Sequence, residues 1–328
     1  MSLQKPSQSE INFILELFTS GELQDTIETI SDLDIKYPNQ ALLKNIKGAC
    51  YAGLGQFDNA VRYYRKAITI KPNYSKAHYN LGGAFHEIGQ LEDSIKSYQS
   101  SIDIDPNYPE AHNNLGNVYR EVGGLEDAIK SYENALVLKP EYIEALYSLA
   151  ITLQYMGNLD SINIFEKIIT LKPDFAEAHN NLGVVFREIN QLDDAINCYK
   201  NALNIQPDYA EAHNNLGNTL RDLGQLTDAV ESFEKAIELK SDYPIFFNNL
   251  GNVLKDLGRL NDSIKSYQTA LDINPDYPDT QNNMGIALHE LGQLDDAILC
   301  YEKAISIDPY CIEALNNLGT VYKDQKKI

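Results

Sequence analysis

The side chains best suited to acid–base, nucleophilic or metal chemistry in this sequence are its histidines and cysteines. Four of the histidines share one position of a repeated pattern described below: His78, His112, His179 and His213. Zinc holds its ligands at about 2 Å, and equivalent residues of successive repeats are too far apart to share one ion. Cys198 and Cys300 are three repeats apart and are interpreted as small buried hydrophobic residues. Phosphate loops, dinucleotide fingerprints, nucleophile elbows and H-E-x-x-H motifs are missing, so we predict no catalytic residue, no metal site and no cofactor.

The composition restricts the classes of partner. The chain has 328 residues with 27 basic and 47 acidic side chains, which gives a formal net charge of −20. Nucleic acids and anionic membranes both attract basic surfaces, so we expect neither as a partner. No apolar run approaches the roughly 18 residues that a membrane helix needs. The polar N-terminal segment MSLQKPSQSE also lacks the apolar core of a signal peptide. We therefore expect a soluble, cytoplasmic protein without membrane insertion.

The strongest pattern in the chain is a repeat with a period of about 34 residues. Prolines recur at this interval: Pro38, Pro72, Pro106, Pro140, Pro173, Pro207, Pro275 and Pro309. Glycines keep the same interval: Gly48, Gly82, Gly116, Gly183, Gly217, Gly251, Gly285 and Gly319. So do aromatic residues: Tyr64, Tyr98, Tyr132, Phe165, Tyr199, Phe233, Tyr267 and Tyr301. Such self-similarity is typical of a chain built from one stacked supersecondary unit.

Each unit is predicted to form two helices. In the third full unit, apolar residues at helical spacing in the first helix are Ala111, Leu115, Val118, Tyr119 and Val122. The pair Gly123–Gly124 ends this helix, because glycine readily adopts the left-handed conformation after a helix. The second helix covers about 126–138, and Pro140 stops it. Small residues such as Gly116 and Ala128 allow the two helix axes to approach closely.

This pattern resembles the tetratricopeptide repeat family, with its period of 34, an L-G-x-x-Y segment and then alanine, an aromatic residue, alanine and proline. The resemblance implies an all-α fold, an α-solenoid of stacked helix–turn–helix units that winds into a right-handed superhelix with the first helices on the concave side. The predicted segments are a disordered N-terminus (1–6), a divergent capping repeat (7–40), eight tandem units (41–311), a terminal half repeat (312–324) and a tail (325–328).

One face of the first helices carries two columns of asparagines. We number each first helix so that its leucine–glycine pair occupies positions 7 and 8. Position 6 then holds Asn80, Asn114, Asn181, Asn215, Asn249, Asn283 and Asn317, with Ile46 and Ser148 as exceptions. Position 5 includes Asn113, Asn180, Asn214 and Asn248, with Tyr79 and Tyr147 as exceptions. Asparagine forms helices poorly, so its recurrence at these two positions indicates a specific role for the side chain.

The asparagine amide both donates and accepts hydrogen bonds, as each residue of a peptide backbone does. We therefore predict that these asparagines hold the backbone of an extended protein segment. The alternatives are that they bridge neighbouring repeats or cap local backbone groups, or that they are an inherited consensus without a ligand. The position-6 column resembles the one in the repeat superhelix of protein O-linked N-acetylglucosamine transferases, which implies a substrate held in extended form.

Positions 12 and 13 form two charged columns. Position 12 supplies the candidate ligand contacts Arg120, Arg187, Arg221 and Lys255, and position 13 is mostly acidic. Opposite charges side by side more often form an ion-pair lattice between repeats, so both interpretations stay open. Chaperone-binding members of the resembling family clamp a terminal carboxylate with basic residues at positions 5 and 6. No unit of this chain has a basic residue there, so this type of ligand is excluded.

The middle unit, 143–175, departs from the pattern. It is one residue shorter between its helices, has Ala150 in place of glycine and has Tyr147 and Ser148 in place of the asparagine pair. Drift is the simpler interpretation, and a specificity pocket formed by Tyr147, Gln154 and Tyr155 is the alternative.

The leading prediction is a non-catalytic scaffold that binds an extended peptide or protein segment. The first alternative is the substrate-recruiting part of a larger enzyme, such as a glycosyltransferase or a sulfotransferase or oxygenase fusion, because the chain stops after the first helix of a unit. The second alternative is self-association into a homo-oligomer through the apolar residues of the terminal half repeat, Leu315, Leu318 and Tyr322.

Overall fold

The computed structural model describes residues 5–325, and in this range every regular element is an α-helix. The prediction of an all-α solenoid is confirmed. The chain divides into two compact units, Met1–Ile164 and Phe165–Ile328. The predicted disordered segment 1–6 and the tail 325–328 fall mostly outside the described residues. Within that range, Gln325 belongs to the last helix.

The first unit holds nine complete helices in its described part and the beginning of a tenth. They are α1 (Gln8–Thr19), α2 (Leu23–Lys36), α3 (Ala41–Gly53), α4 (Phe57–Ile70), α5 (Ser75–Glu87), α6 (Leu91–Ile104), α7 (Pro109–Glu121), α8 (Leu125–Leu138), α9 (Ile143–Tyr155) and the start of α10 (Asp160–Leu171). Each helix packs against the next along the chain from α1 to α9, so the unit is a stack of helical hairpins.

The second unit continues α10 and repeats the same hairpin. Its complete helices are α11 (Ala176–Glu188), α12 (Leu192–Ile205), α13 (Ala210–Asp222), α14 (Leu226–Leu239), α15 (Pro244–Asp256), α16 (Leu260–Ile273), α17 (Pro278–Glu290), α18 (Leu294–Ile307) and α19 (Ile312–Gln325). From α11 onwards each helix again packs on its successor. Leu315 and Tyr322 on α19 are exposed, and self-association through this helix stays a prediction.

In the hairpins that have both residues, the recurring glycine of the first helix lies against the recurring aromatic ring of the second. A Cβ atom added to Gly116 of α7 would lie 2.6 Å from Cε1 of Tyr132 in α8, and one added to Gly251 would lie 2.5 Å from Cε1 of Tyr267. Both tyrosine side chains are fully buried. The glycine is therefore required because a ring occupies the space of its missing side chain.

The turn between the two helices of a hairpin needs a left-handed residue. Gly123 has φ +81° after α7, as the glycine pair in the sequence predicts. Asn190 takes the equivalent place after α11 with φ 62°, a conformation that asparagine tolerates better than most residues. The turn brings the second helix back against the first.

Candidate peptide-binding face of the first helices

Hydrogen bonds link the two asparagine columns from one repeat to the next. In the second unit, the Nδ2 of a position-6 asparagine donates to the Oδ1 of the position-5 asparagine in the preceding repeat. The four bonds are Asn215 to Asn180 at 3.0 Å, Asn249 to Asn214 at 2.9 Å, Asn283 to Asn248 at 3.2 Å and Asn317 to Asn282 at 2.9 Å. We call this series the asparagine ladder.

The two asparagine columns differ in how far their side chains are buried. The position-5 acceptors are buried, with 4% of Asn180 and 5% of Asn248 exposed, whereas the position-6 donors are only half-buried. Asn248 also accepts a hydrogen bond from Thr280 at 3.1 Å. Position 5 is therefore committed to holding adjacent repeats together, as the bridging interpretation of the sequence states.

The position-6 amides keep hydrogen-bonding capacity beyond the ladder. Each primary amide has two N–H donors and a carbonyl acceptor. For Asn215, Asn249 and Asn283 one donor is used in the ladder, and the second donor and the Oδ1 atom have no partner among the described residues. The bond to the previous repeat fixes the plane of the amide, so the remaining donor and acceptor are held in one orientation. Asn181 belongs to the same position-6 column of the sequence.

The ladder of the first unit is less regular. Asn80 donates to Asn45 at 3.0 Å, but Asn114 donates to the hydroxyl of Tyr79 at 3.0 Å instead of to an amide. Burial raises the pKa of Tyr79, and the hydrogen bond with Asn114 partly offsets this. Sequence reasoning did not include Asn45 and Tyr79 in the site. Their place in the position-5 column is the signal that identifies them.

The first-unit ladder stops at Ser148 of α9. By its column, Ser148 should donate to Asn113 of α7, yet no such bond forms, and the Oδ1 of Asn113 is buried without a partner in the described structure. Asn113 is 5% exposed, and its Nδ2 donates only to the neighbouring Asn114 at 3.2 Å. A buried amide oxygen without a donor typically costs about 1–3 kcal/mol.

Contacts between a basic and an acidic side chain form a second series with the same spacing, which we call the charge ladder; the two histidine members are ion pairs only when the imidazole is protonated. A basic side chain at position 12 contacts the acidic side chain at position 13 of the next repeat. The pairs are His86 with Glu121 at 2.6 Å in the first unit, and Arg187 with Asp222 at 2.8 Å, Arg221 with Asp256 at 2.5 Å and His289 with Asp324 at 3.2 Å in the second. Lys255 lies 3.8 Å from Asp256 of its own helix. Arg187 and Arg221 therefore form ion pairs between repeats, as the lattice interpretation of the sequence states.

Arg120 of α7 has no carboxylate partner among the described residues. Its charge-ladder partner would stand at position 13 of α9, where the chain has Tyr155. The guanidinium lies near the buried hydroxyl of Tyr132; burial raises the pKa of that hydroxyl and the Arg120 charge acts in the opposite direction. Of the four candidate contacts at position 12, Arg120 is thus the one without an acidic neighbour within ion-pair distance in the described part of the chain.

A cleft of about 840 Å³ opens beside Arg120 on the face of the first unit. Its walls come from the first helices α5, α7 and α9 and from the start of α8. The lining includes Arg120, Glu121, Leu125, Ser148, Ile151 and Tyr155. The side chain of Tyr155 is 81% exposed. Of the three residues in the predicted specificity pocket, Tyr155 lines this cleft, whereas Tyr147 and Gln154 do not.

The repeat pattern has a direct match among protein families. A family model described as TPR repeat matches residues 48–89, 84–123, 116–157, 185–220, 217–258, 251–292 and 287–326. The chain belongs to the tetratricopeptide repeat (TPR) family. The resemblance that the sequence motifs predict is therefore confirmed, and the TPR repeats support a role as a protein-interaction scaffold.

Several solved structures resemble this TPR chain. One is the crystal structure of the APC/C hetero-tetramer Cut9–Hcn1, with 16% identity and a TM-score of 0.60; the match covers 92% of this chain and 59% of that one. Another is a tetratricopeptide repeat protein from Parabacteroides merdae, with 16% identity, a TM-score of 0.59, and coverage of 76% and 98%. The crystal structure of MamA matches half of the chain, 50%, and 96% of its own, with 29% identity and a TM-score of 0.48. No curated protein matches the sequence.

The histidines of these TPR units have a structural contact. In each of four first helices, the histidine Nε2 lies within hydrogen-bond distance of the proline carbonyl six residues earlier: His78 with Pro72 at 2.9 Å, His112 with Pro106 at 3.1 Å, His179 with Pro173 at 3.1 Å and His213 with Pro207 at 3.0 Å. Burial lowers the pKa of His213, and its contact with Pro207 partly offsets this. The residues therefore tie the turn between TPR units to the next helix.

The described part of the TPR chain shows neither a metal-binding cluster nor a helix that could span a bilayer. Across residues 5–325, no three histidine, cysteine or acidic side chains come together as metal ligands. None of the helices in that range combines the length and the apolar character that a membrane crossing requires.

Proposed function

We propose that this TPR scaffold binds an extended segment of a partner protein along the first helices, with the position-6 asparagines contacting the segment's backbone. One observation carries the proposal: Asn215, Asn249 and Asn283 each use a single N–H in the asparagine ladder and present a second N–H and an oxygen on a half-buried surface. A peptide backbone has the matching acceptor and donor.

The spacing of the ladder sets how such a segment is held. Packed helices lie about 8–10 Å apart, and an extended chain advances about 3.3–3.6 Å per residue. One asparagine therefore meets about every third residue of the ligand. Contacts of this kind hold the backbone and do not distinguish side chains, so the ladder accepts many sequences.

The energy of these contacts is modest. Each hydrogen bond contributes about 0.5–1.5 kcal/mol net, and association itself costs at least several kcal/mol in lost freedom. Three or four amides alone give a weak complex, so a physiological ligand requires at least one further anchor on the same surface.

The test uses the full chain and a displayed library of random 12-residue peptides. Peptides selected by the wild-type protein are synthesised, and their affinities are measured by fluorescence anisotropy with the triple variant Asn215→Ala, Asn249→Ala, Asn283→Ala. Losing three hydrogen bonds should weaken every peptide by about tenfold or more, whatever its sequence. Circular dichroism shows whether the variant keeps its helices.

A matched variant changes three exposed asparagines on the second helices, Asn197→Ala, Asn201→Ala and Asn261→Ala. It should bind like the wild type. Peptides with N-methyl groups on alternate backbone amides should lose affinity for the wild-type protein, because methylation removes their donors. Equal affinity of the two triple variants, or no effect of N-methylation, contradicts the proposed function.

A further inference from the structure

Two interruptions of the ladders lie at one repeat junction of the first unit. In the charge ladder, Arg120 has no carboxylate partner among the described residues. The partner position in the next repeat holds Tyr155, whereas Arg187 and Arg221 find Asp222 and Asp256 at that position. The asparagine ladder has an acceptor without its donor, because Ser148 leaves the buried Oδ1 of Asn113 unpaired among the described residues. Both departures come from α9, and both of its residues line the same cleft.

The surroundings make the Arg120 cleft a place for an anion. Arg120 is exposed at its wall, and Leu125, Ile151 and the exposed ring of Tyr155 provide apolar surface beside it. Apolar walls lower the local dielectric, which strengthens a contact between opposite charges. Arginine binds a carboxylate through two parallel N–H donors, so geometry and charge both favour that group.

The charges around the cleft limit the anion to a single carboxylate. The other basic group in the walls, His86, is already paired with Glu121 at 2.6 Å. A phosphate group with nearly two negative charges would face one arginine and the Glu121 carboxylate. The chain as a whole has a net charge of −20, which disfavours a strongly acidic segment. One acidic side chain in an otherwise neutral or basic segment fits these conditions.

We propose that the Arg120 cleft is a specificity site that takes one aspartate or glutamate side chain of the bound protein segment, with the carboxylate on Arg120 and an adjacent side chain against Tyr155. This assignment rests on the proposed function. It gives α9 a role in selecting the ligand, in place of the drift interpretation of this repeat.

The same selection from the random 12-residue library tests the assignment when it is repeated with variants of the full chain. Peptides selected by the wild type should share an acidic residue at one fixed place. Arg120→Ala should lose this preference. Tyr155→Asp should lose it too, because the new carboxylate forms an ion pair with the Arg120 guanidinium. Arg259→Ala is the matched control, since Arg259 is an exposed arginine paired with Asp262 away from this face.

A selected peptide then supplies a quantitative check. Changing its acidic residue to the corresponding amide should weaken binding to the wild type by about tenfold, as loss of a charged hydrogen-bonded contact does, and should leave binding to Arg120→Ala unaffected. An acidic preference that persists in Arg120→Ala overturns the assignment. So does tighter binding of the peptide when phosphoserine replaces the acidic residue.

The outcomes separate the two proposals. If Arg120→Ala and the wild type select peptides of the same composition while the asparagine triple variant loses affinity, only the Arg120 assignment fails. If the wild type selects no peptide, or if the triple variant keeps full affinity, the proposed function fails and the assignment falls with it.

Discussion

The two compact units share their core but differ on the face of their first helices. In both, a fully buried tyrosine fills the space beside a glycine, as Tyr132 does at Gly116 and Tyr267 at Gly251. On this face, the second unit has four hydrogen bonds in succession between asparagine amides. In the first unit, the hydroxyl of Tyr79 replaces one amide acceptor, and Ser148 donates no hydrogen bond to Asn113 in the described structure. The repeat interior admits few residue types because it is close-packed, whereas a half-exposed polar column tolerates change and can acquire specificity.

The largest expected effect is the same in both units. Gly116→Ala and Gly251→Ala each place a Cβ atom within 2.6 Å of a buried ring carbon. Overpacking of this kind costs about 1–3 kcal/mol of unfolding free energy. Urea denaturation followed by circular dichroism measures it for each variant.

The control for this pair is Gly319→Ala in α19, where an added Cβ meets no atom within 4 Å. Alanine favours a helix over glycine by about 1 kcal/mol, so this variant should be neutral or stabilised. A large loss at Gly116 with none at Gly251 would show that the two cores are not equivalent.

The next largest effect is a difference in stability between asparagine substitutions in the ladders of the two units. Asn214→Ala removes a buried acceptor that holds Asn249 at 2.9 Å. Asn113→Ala removes a buried acceptor whose Oδ1 has no donor among the described residues. Because the helix propensity change is identical, the unfolding free energy should fall by about 1 kcal/mol more for Asn214→Ala. Equal losses in urea denaturation would mean that Asn113 has a donor in solution.

Ser148→Asn should repair the first-unit ladder. The new amide stands where Asn249 stands in the second unit and can donate to Asn113, so stability should rise by about 0.5–1.5 kcal/mol. Ser148→Ala is the matched control and should bring no gain. If both variants melt at the wild-type temperature, the short side chain of Ser148 does not cause the break.

The smallest effect concerns the charge ladder. Tyr155→Asp supplies Arg120 with the partner that Arg187 and Arg221 have, and an exposed ion pair of this kind contributes about 0.2–1 kcal/mol. A double-mutant cycle with Arg120→Ala isolates that contribution. The coupling should fade at about 1 M salt, where charges are screened within a few ångströms. A coupling of zero at low salt would place the two side chains out of reach.

Much of the fold follows from the sequence because its causes are local. The first helix of the third unit was expected from the spacing of Ala111 to Val122 and is found at Pro109–Glu121, and the second was expected at about 126–138 and is found at Leu125–Leu138. Gly123 ends the first helix with a positive φ, as predicted. Helical periodicity and the conformational freedom of glycine depend on neighbours within a few residues, so one repeat contains the signal.

That asparagines and charged residues lie on neighbouring parts of the helix surface follows from their spacing alone, since positions 5 and 12, and positions 6 and 13, are each two helical turns apart. Which columns meet depends on how the repeats pack. Asn249 reaches Asn214 and Arg221 reaches Asp256 across 35 residues, one repeat plus one position. That offset depends on the rotation of each hairpin against the next, which no single helix encodes. For the same reason, the lack of a partner at Arg120 becomes visible only when α7 and α9 stand side by side.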